Sequence, residues 1–289
     1  MIRDSQFALR ISWAALLLMA TFFTRPLTAQ IQQEPAPTPN ESAAARAPEG
    51  FRPRFHVEGS AFLNSVSNGF GRWWGGGLEF AWTPPSRMMV SGEVISQARP
   101  GVVEQLAGLR TLVNWTKWFY TDATISGGGP NDAVAFFPRF RYDATANFKI
   151  SNSGLVLNAG YTRLYFGPPV SGEVIRAGAI YYWRKFVVQG NGNWNTAHPG
   201  NQKSASGTGA LQYGREGRYW LGIVAGGGHE AWQTLSLTPQ DIQFTSYSGS
   251  VFVRKWLSPR SVFAAAYNYS LKRTAYRING VELKLFVDF

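Results

Sequence analysis

Apolar and polar residues alternate along most of this chain. In "FRYDATANFKI", Phe140, Tyr142, Ala144, Ala146, Phe148 and Ile150 fall on one parity, and Arg141, Asp143, Thr145, Asn147 and Lys149 on the other. In "FVVQGNGNWN", Phe186, Val188, Gly190, Gly192 and Trp194 oppose Gln189, Asn191, Asn193 and Asn195. In "SVFAAAYNYSLK", Phe263, Ala265, Tyr267, Tyr269 and Leu271 oppose Ala264, Ala266, Asn268, Ser270 and Lys272. Successive side chains of a strand point to opposite faces, so each segment predicts a strand with one apolar and one polar face. The final "VELKLFVDF" obeys the same rule: Val281, Leu283, Leu285, Val287 and Phe289 share one parity, Glu282, Lys284 and Asp288 the other, and Phe286 breaks it.

Segments of this kind follow one another from residue 54 to the last residue, at 54–64, 72–83, 87–97, 106–115, 117–127, 134–149, 154–166, 173–184, 186–195, 204–214, 218–230, 243–256, 261–272 and 276–289. No helical stripe interrupts them, which predicts an all-β body. "LVLNAGYTRLYF" switches phase near Arg163 and predicts a bulge or a shifted boundary. "NWTK" at 114–117 carries no strong turn signal, so the expected strand number is 12 to 14. The joints alternate between short ones, such as "SNSG" and "REG", and longer ones, such as "ARPGVVEQ" (98–105), "SGGGPND", "AHPGNQK" (197–203) and "AWQTLSLTPQDI".

A β-sandwich would bury the apolar faces, whereas a membrane barrel turns them to lipid and lines its interior with the polar ones. Periodicity alone does not separate the two. The alternation of joint lengths favours the barrel, as do Trp82, Trp118, Trp183, Trp194, Trp220 and Trp256 near segment ends, where membrane interfaces gather Trp. Gly190, Gly192, Ala144, Ala146 and Ala265 on the apolar parity point the same way, because small residues would leave holes in a packed core but cost little against lipid tails.

Residues 1–29 carry Arg3 and Arg10, an apolar run from Ile11 to Phe23 and a Leu27-Thr28-Ala29 ending, and predict a secretory signal peptide cleaved near Ala29. Residues 30–53, rich in Pro, Ala and Gln, predict a flexible, disordered linker in the periplasm, before a barrel at 54–289. With no Cys there is neither a disulfide nor a lipidation site. Charged residues are only 16% of the chain, and the formal net charge is +11. For an exported protein this excludes nucleic acid and favours anionic lipid headgroups or acidic polysaccharide as partners.

The terminal alternation ending in Phe289 resembles the signal by which bacterial outer-membrane barrels are recognised for assembly. The stretch from "FFPRFRYDATANFKI" through "LVLNAGYTRLYF" to "YYWRKFVVQGNGNWN" resembles the YaiO-like outer-membrane β-barrel family. The resemblance implies a barrel in the bacterial outer membrane, handled by the barrel-assembly machinery, and names no activity.

Candidate chemistry is sparse. His56, Glu58 and Ser60 share a face and form a partial acid, base and nucleophile set, which alternation alone also produces. His198 and His229 have no second ligand at metal spacing, and the "GGG" runs precede no helix that could make a phosphate loop. No metal or cofactor is expected. The expected lumen set is Arg139, Arg141, Asp143, Arg176, Gln189, Asn191, Asn193, Arg254, Glu282, Lys284 and Asp288, read either as a basic lining that would admit or hold anions or as an internal network of paired charges and amides that fills and plugs the barrel. The expected function is a monomeric, non-enzymatic transport or export pore for small or polymeric anions. A scaffold barrel binding other envelope components comes second, and a barrel enzyme acting on lipid or peptide third.

Overall fold

The computed structural model describes residues 55–84, 87–129, 137–230, 244–273 and 275–289. The expected signal peptide and linker lie outside them. The described residues form β1 (Phe55–Val66), β2 (Gly71–Trp82), β3 (Met88–Arg99), β4 (Val102–Asn114), β5 (Phe119–Gly127), β6 (Phe140–Ile150) and β7 (Leu155–Gly167). These are followed by β8 (Val170–Trp183), β9 (Phe186–His198), β10 (Gln202–Arg215), β11 (Tyr219–Glu230), β12 (Phe244–Ser258), β13 (Ser261–Lys272) and β14 (Tyr276–Asp288). Each of the fourteen alternating segments becomes one strand. Neighbours pair antiparallel in chain order, and β14 returns to β1 to close a barrel.

The closing seam runs in unbroken register from His56 opposite Asp288 to Val66 opposite Ile278. The Phe289 N–H then donates to the Phe55 carbonyl at 2.9 Å. Closure leaves no sheet edge, the condition for placing strands in a medium that offers backbone groups no partners.

The "NWTK" joint is a turn after all. Thr116 Oγ1 accepts the N–H groups of Trp118 (3.3 Å) and Phe119 (3.0 Å), a hydroxyl-closed turn that needs no Gly or Pro. The alternation of joint lengths is weaker than expected. Strands extend into the supposed loops at 98–105 and 197–203, so that only Pro100-Gly101 joins β3 to β4 and residues 199–201 join β9 to β10. Gly101 (φ +83°) and Asn201 (φ +52°) supply the left-handed backbone for these tight reversals.

Burial is inverted relative to a soluble domain. Ser60, Asn147, Asn158, Asn193, Asn268 and Glu282 are buried, while Leu63, Val94, Leu109, Ile125, Ile175, Ile223 and Val251 are exposed. In β14 the outward residues are Val281, Leu283, Leu285, Val287 and Phe289; Glu282, Lys284, Phe286 and Asp288 face inward. At the end that carries Phe55 and Phe289, aromatic side chains form a belt. Phe55 packs on Phe80 (5.7 Å), and Trp118 on Phe148 (6.4 Å). A chain of ring contacts runs from Trp183 through Phe186 and Tyr213 to Tyr219. Trp220 and Trp256, expected in such a belt, have the inward parity instead.

The phase switch near Arg163 has a different cause from a bulge at that point. Pairing of β7 with β8 is regular through Tyr165 and shifts only between Tyr165 and Gly167. Toward this far end the outward side becomes charged, with Arg163 paired to Glu173 and His198 Nε2 3.9 Å from the same carboxylate. The inward side becomes apolar, with Leu164, Phe166 and Val170 buried together. The barrel wall there has left the apolar band, and its polarity reverses as it would in water. Conversely, a charge placed inside the band is costly. Leu283→Arg should lower stability by about 2–4 kcal/mol in a urea titration of the barrel in lipid vesicles, the usual penalty near the bilayer midplane.

Candidate functional site

The barrel interior is the candidate site, because that is where its chemistry gathers. Charged and amide side chains hold the middle turns of the strands, and they are sorted around the circumference. On the β14–β1–β2–β3 wall, Glu58, Glu79 and Glu93 lie side by side in register. Lys284 Nζ lies 3.2 Å from Glu58 and 3.7 Å from Glu282, so one ammonium bridges two carboxylates across the closing seam. Below this pair, His56 Nδ1 meets Asp288 Oδ1 at 2.7 Å. Phe286, the residue that broke the alternation, lies between the His56 ring (5.6 Å) and the Arg254 guanidinium (4.9 Å). An inward aromatic ring can carry such a cation, which gives the exception a physical reason.

The β4–β8 wall is the basic one. Arg110 Nε donates to Asp122 Oδ1 at 3.0 Å, with a further contact from its Nη2. Arg141 grips Asp143 through Nε (2.6 Å) and Nη2 (3.1 Å). Thr162 donates to Asp143 at 2.5 Å and accepts from Arg176 Nη2 at 3.2 Å. Three guanidinium groups therefore line this wall beside two carboxylates, which Arg110 and Arg141 engage directly.

The β9–β12 wall is rich in amides and small residues, and Arg254 of β12 adds an inward charge to it. Gln189, Asn191, Asn193 and Asn195 line β9, and the Asn193 and Asn195 amides donate to Ser206 and Ser204 of β10, each at 3.3 Å. Beyond them the inward positions include Thr208, Ala210, Gly222, Val224, Gly226, Gly228, Ser246, Ser248 and Ser250, with Trp220, Phe252 and Arg254 toward the end that carries Phe289.

Large inward groups are also laid flat by glycine on the neighbouring strand. The Asn191 carboxamide covers Gly178, the Asn64 carboxamide covers Gly280 and the Phe252 ring covers Gly222, each where an added Cβ would collide. Each of these is a directly opposed pair in the register. A β-carbon at the glycine would push its partner toward the axis, so these glycines widen the lumen.

Apolar residues narrow it toward the ends. Near the end that carries Phe55 and Phe289, Leu112, Tyr120, Val156 and Ile180 pack together inside the barrel with Met89, Tyr182 and Val187. At the far end, Phe137 from the β5–β6 connection is fully buried against Ile95 and Leu106, and its N–H donates to Glu104 Oε2 at 2.8 Å.

Of the expected lumen residues, Arg141, Asp143, Arg176, Gln189, Asn191, Asn193, Arg254, Glu282, Lys284 and Asp288 occupy inward positions. Arg139 does not belong with them. It precedes β6, with its guanidinium 5.8 Å from the ring of outward-facing Phe140. The expected lining, basic on balance, resolves into an acidic wall, a basic wall and a wall rich in amides and small residues. Arg110 and Asp122 were missed, although the alternation of 106–115 and 117–127 placed both on the polar parity. The set His56, Glu58 and Ser60 is dispersed: His56 binds Asp288, Glu58 binds Lys284, and Ser60 is four residues along the strand from His56, about 13 Å. Among the described residues no group of His and carboxylate side chains is arranged to hold a metal ion.

The sequence matches the YaiO membrane beta barrel domain over residues 55–233. No curated protein matches it. Among solved structures, the CymD monoaromatic hydrocarbon channel superposes with a TM-score of 0.55 at 12% identity, over 83% of this chain and 89% of that one. A bacterial polysaccharide outer membrane secretin does so with a TM-score of 0.50 at 9% identity, over 81% of this chain and 97% of that one. At these identities the likeness is one of fold.

The bridge over the seam makes a separable prediction. Lys284→Met removes the ammonium between Glu58 and Glu282 and should destabilise the barrel by about 3 kcal/mol in a urea titration. Adding Glu58→Gln to it should restore about half of the loss, since only one carboxylate then needs compensation.

Proposed function

The chain belongs to the YaiO membrane β-barrel family, and on that premise we propose that it is a non-enzymatic transport or export pore of the bacterial outer membrane that favours small or polymeric anions. The observation that carries this reading is the basic wall, where the inward residues Arg110, Arg141 and Arg176 outnumber Asp122 and Asp143. Ions crossing a constriction respond to the fixed charges that line it. Fourteen strands fall between the eight that side chains can fill and the sixteen to eighteen that leave a wide channel, which suits a narrow conduit. In this reading the ends of the chain lie in the periplasm, the apolar belt meets outer-membrane lipid, and the terminal strand serves the assembly machinery of a monomer.

A second reading, a scaffold barrel, draws support from the apolar cluster around Leu112, Tyr120 and Ile180, which occupies part of the interior near the end that carries Phe55 and Phe289. Conductance separates the two, because a scaffold need not pass ions. Reconstituted in a planar bilayer under a KCl gradient, the barrel should show steady currents with a reversal potential on the anion-selective side. Arg110→Ser or Arg141→Ser strips the partner from Asp122 or Asp143 and should reduce the anion-to-cation permeability ratio severalfold. A folded but silent barrel would favour the scaffold.

A further inference from the structure

We infer that Arg176, together with the amides of β9, forms a binding subsite for a hydroxyl-bearing carboxylate, the repeating unit of an acidic polysaccharide. The inference rests on the pore reading and names its cargo.

Arg176 sits at mid-barrel on β8, opposite Gly160 on one side and Asn193 on the other. It is only 9% exposed. A guanidinium offers five N–H donors, yet among the described residues it makes one hydrogen bond, from Nη2 to the neutral Thr162 hydroxyl. The nearest candidate counter-charge is already engaged, since Asp143 receives both arms of Arg141 and the Thr162 hydroxyl. A mostly buried cation without a carboxylate partner is costly, and an anion entering the lumen would remove that cost.

The second element is independent of charge. Gln189 and Asn191 are each 9% exposed, and the amide oxygen of each has no hydrogen-bond partner among the described residues. Asn191 lies over Gly178, two residues along β8 from Arg176, and Asn193 stands directly opposite Arg176. The terminal torsions of amide side chains are broad, so either the oxygen or the NH2 group can turn to a solute. An acceptor left unmet in the wall is costly, and a solute hydroxyl would recover that cost. A carboxylate for Arg176 and hydroxyl groups for Gln189, Asn191 and Asn193 are the features of a sugar acid. A simple carboxylate lacks the second, and a neutral sugar lacks the first.

The test uses the full mature barrel, its folding checked by heat-dependent gel mobility, with calorimetric titration in detergent. Tri-galacturonate should bind about tenfold or more tighter than maltotriose or glutarate. Arg176→Gln should weaken tri-galacturonate about tenfold, Arg176→Lys less, and Asn191→Ala severalfold, with maltotriose little changed. Equal binding of the three solutes, or unchanged tri-galacturonate binding in Arg176→Gln, overturns the proposal. If Arg176→Gln does not fold, Arg176→Lys and Asn191→Ala decide it by the same criterion. Ion conductance without sugar judges the pore reading separately. A silent barrel that binds tri-galacturonate through Arg176 keeps the subsite and loses the pore; a conducting barrel that does not bind it keeps the pore and loses the subsite.

Discussion

The structure depends on one constraint: in hydrocarbon, every backbone N–H and C=O must find its partner within the protein. The pairing of β1 with β14 meets it, and the rest follows from that closure. A closed sheet has two faces and no edge, so a period-two sequence must send one parity outward and the other inward. The side chains that would form the surface of a soluble protein are thereby enclosed together. The seam also gathers its own polar contacts, since Lys284, Glu58 and Glu282 meet only because the first and last strands are neighbours.

Enclosure turns a simple alternation into a structured interior. Once the register is set, inward residues of adjacent strands stand side by side. Arg110 then finds Asp122, and Arg141 and Thr162 both find Asp143. Glycine opposite a large side chain decides whether that side chain lies along the wall or projects toward the axis. The acidic, basic and amide-rich walls are consequences of register as much as of composition.

This division explains what could be read from the sequence. Strand number, parity and the identity of the lipid-facing residues are local properties, and all fourteen segments were legible, including Val281 to Phe289 as an outward stripe. The supposed loops at 98–105 and 197–203 were misleading because the strands there run past the apolar band, where alternation no longer reports on lipid. Trp220 and Trp256 show that a tryptophan near a strand end is not always on the belt, because its parity decides. Thr116 closed a turn through its hydroxyl, a weak signal beside Gly or Pro. The pairing of charges was not legible, since partners such as Lys284 and Glu58 lie at opposite ends of the chain. Arg139 had the inward parity but lies ahead of its strand, where parity no longer governs direction.

The account stands on the claim that the polar parity faces a water-filled lumen and the apolar parity faces lipid. The chain has no Cys, so single cysteines can be introduced one at a time without interference. Along β9 in reconstituted vesicles, a membrane-impermeant maleimide should label Gln189→Cys, Asn191→Cys and Asn193→Cys and spare Val188→Cys, Gly190→Cys and Gly192→Cys. Labelling that ignores parity, or that favours the apolar positions, would contradict it.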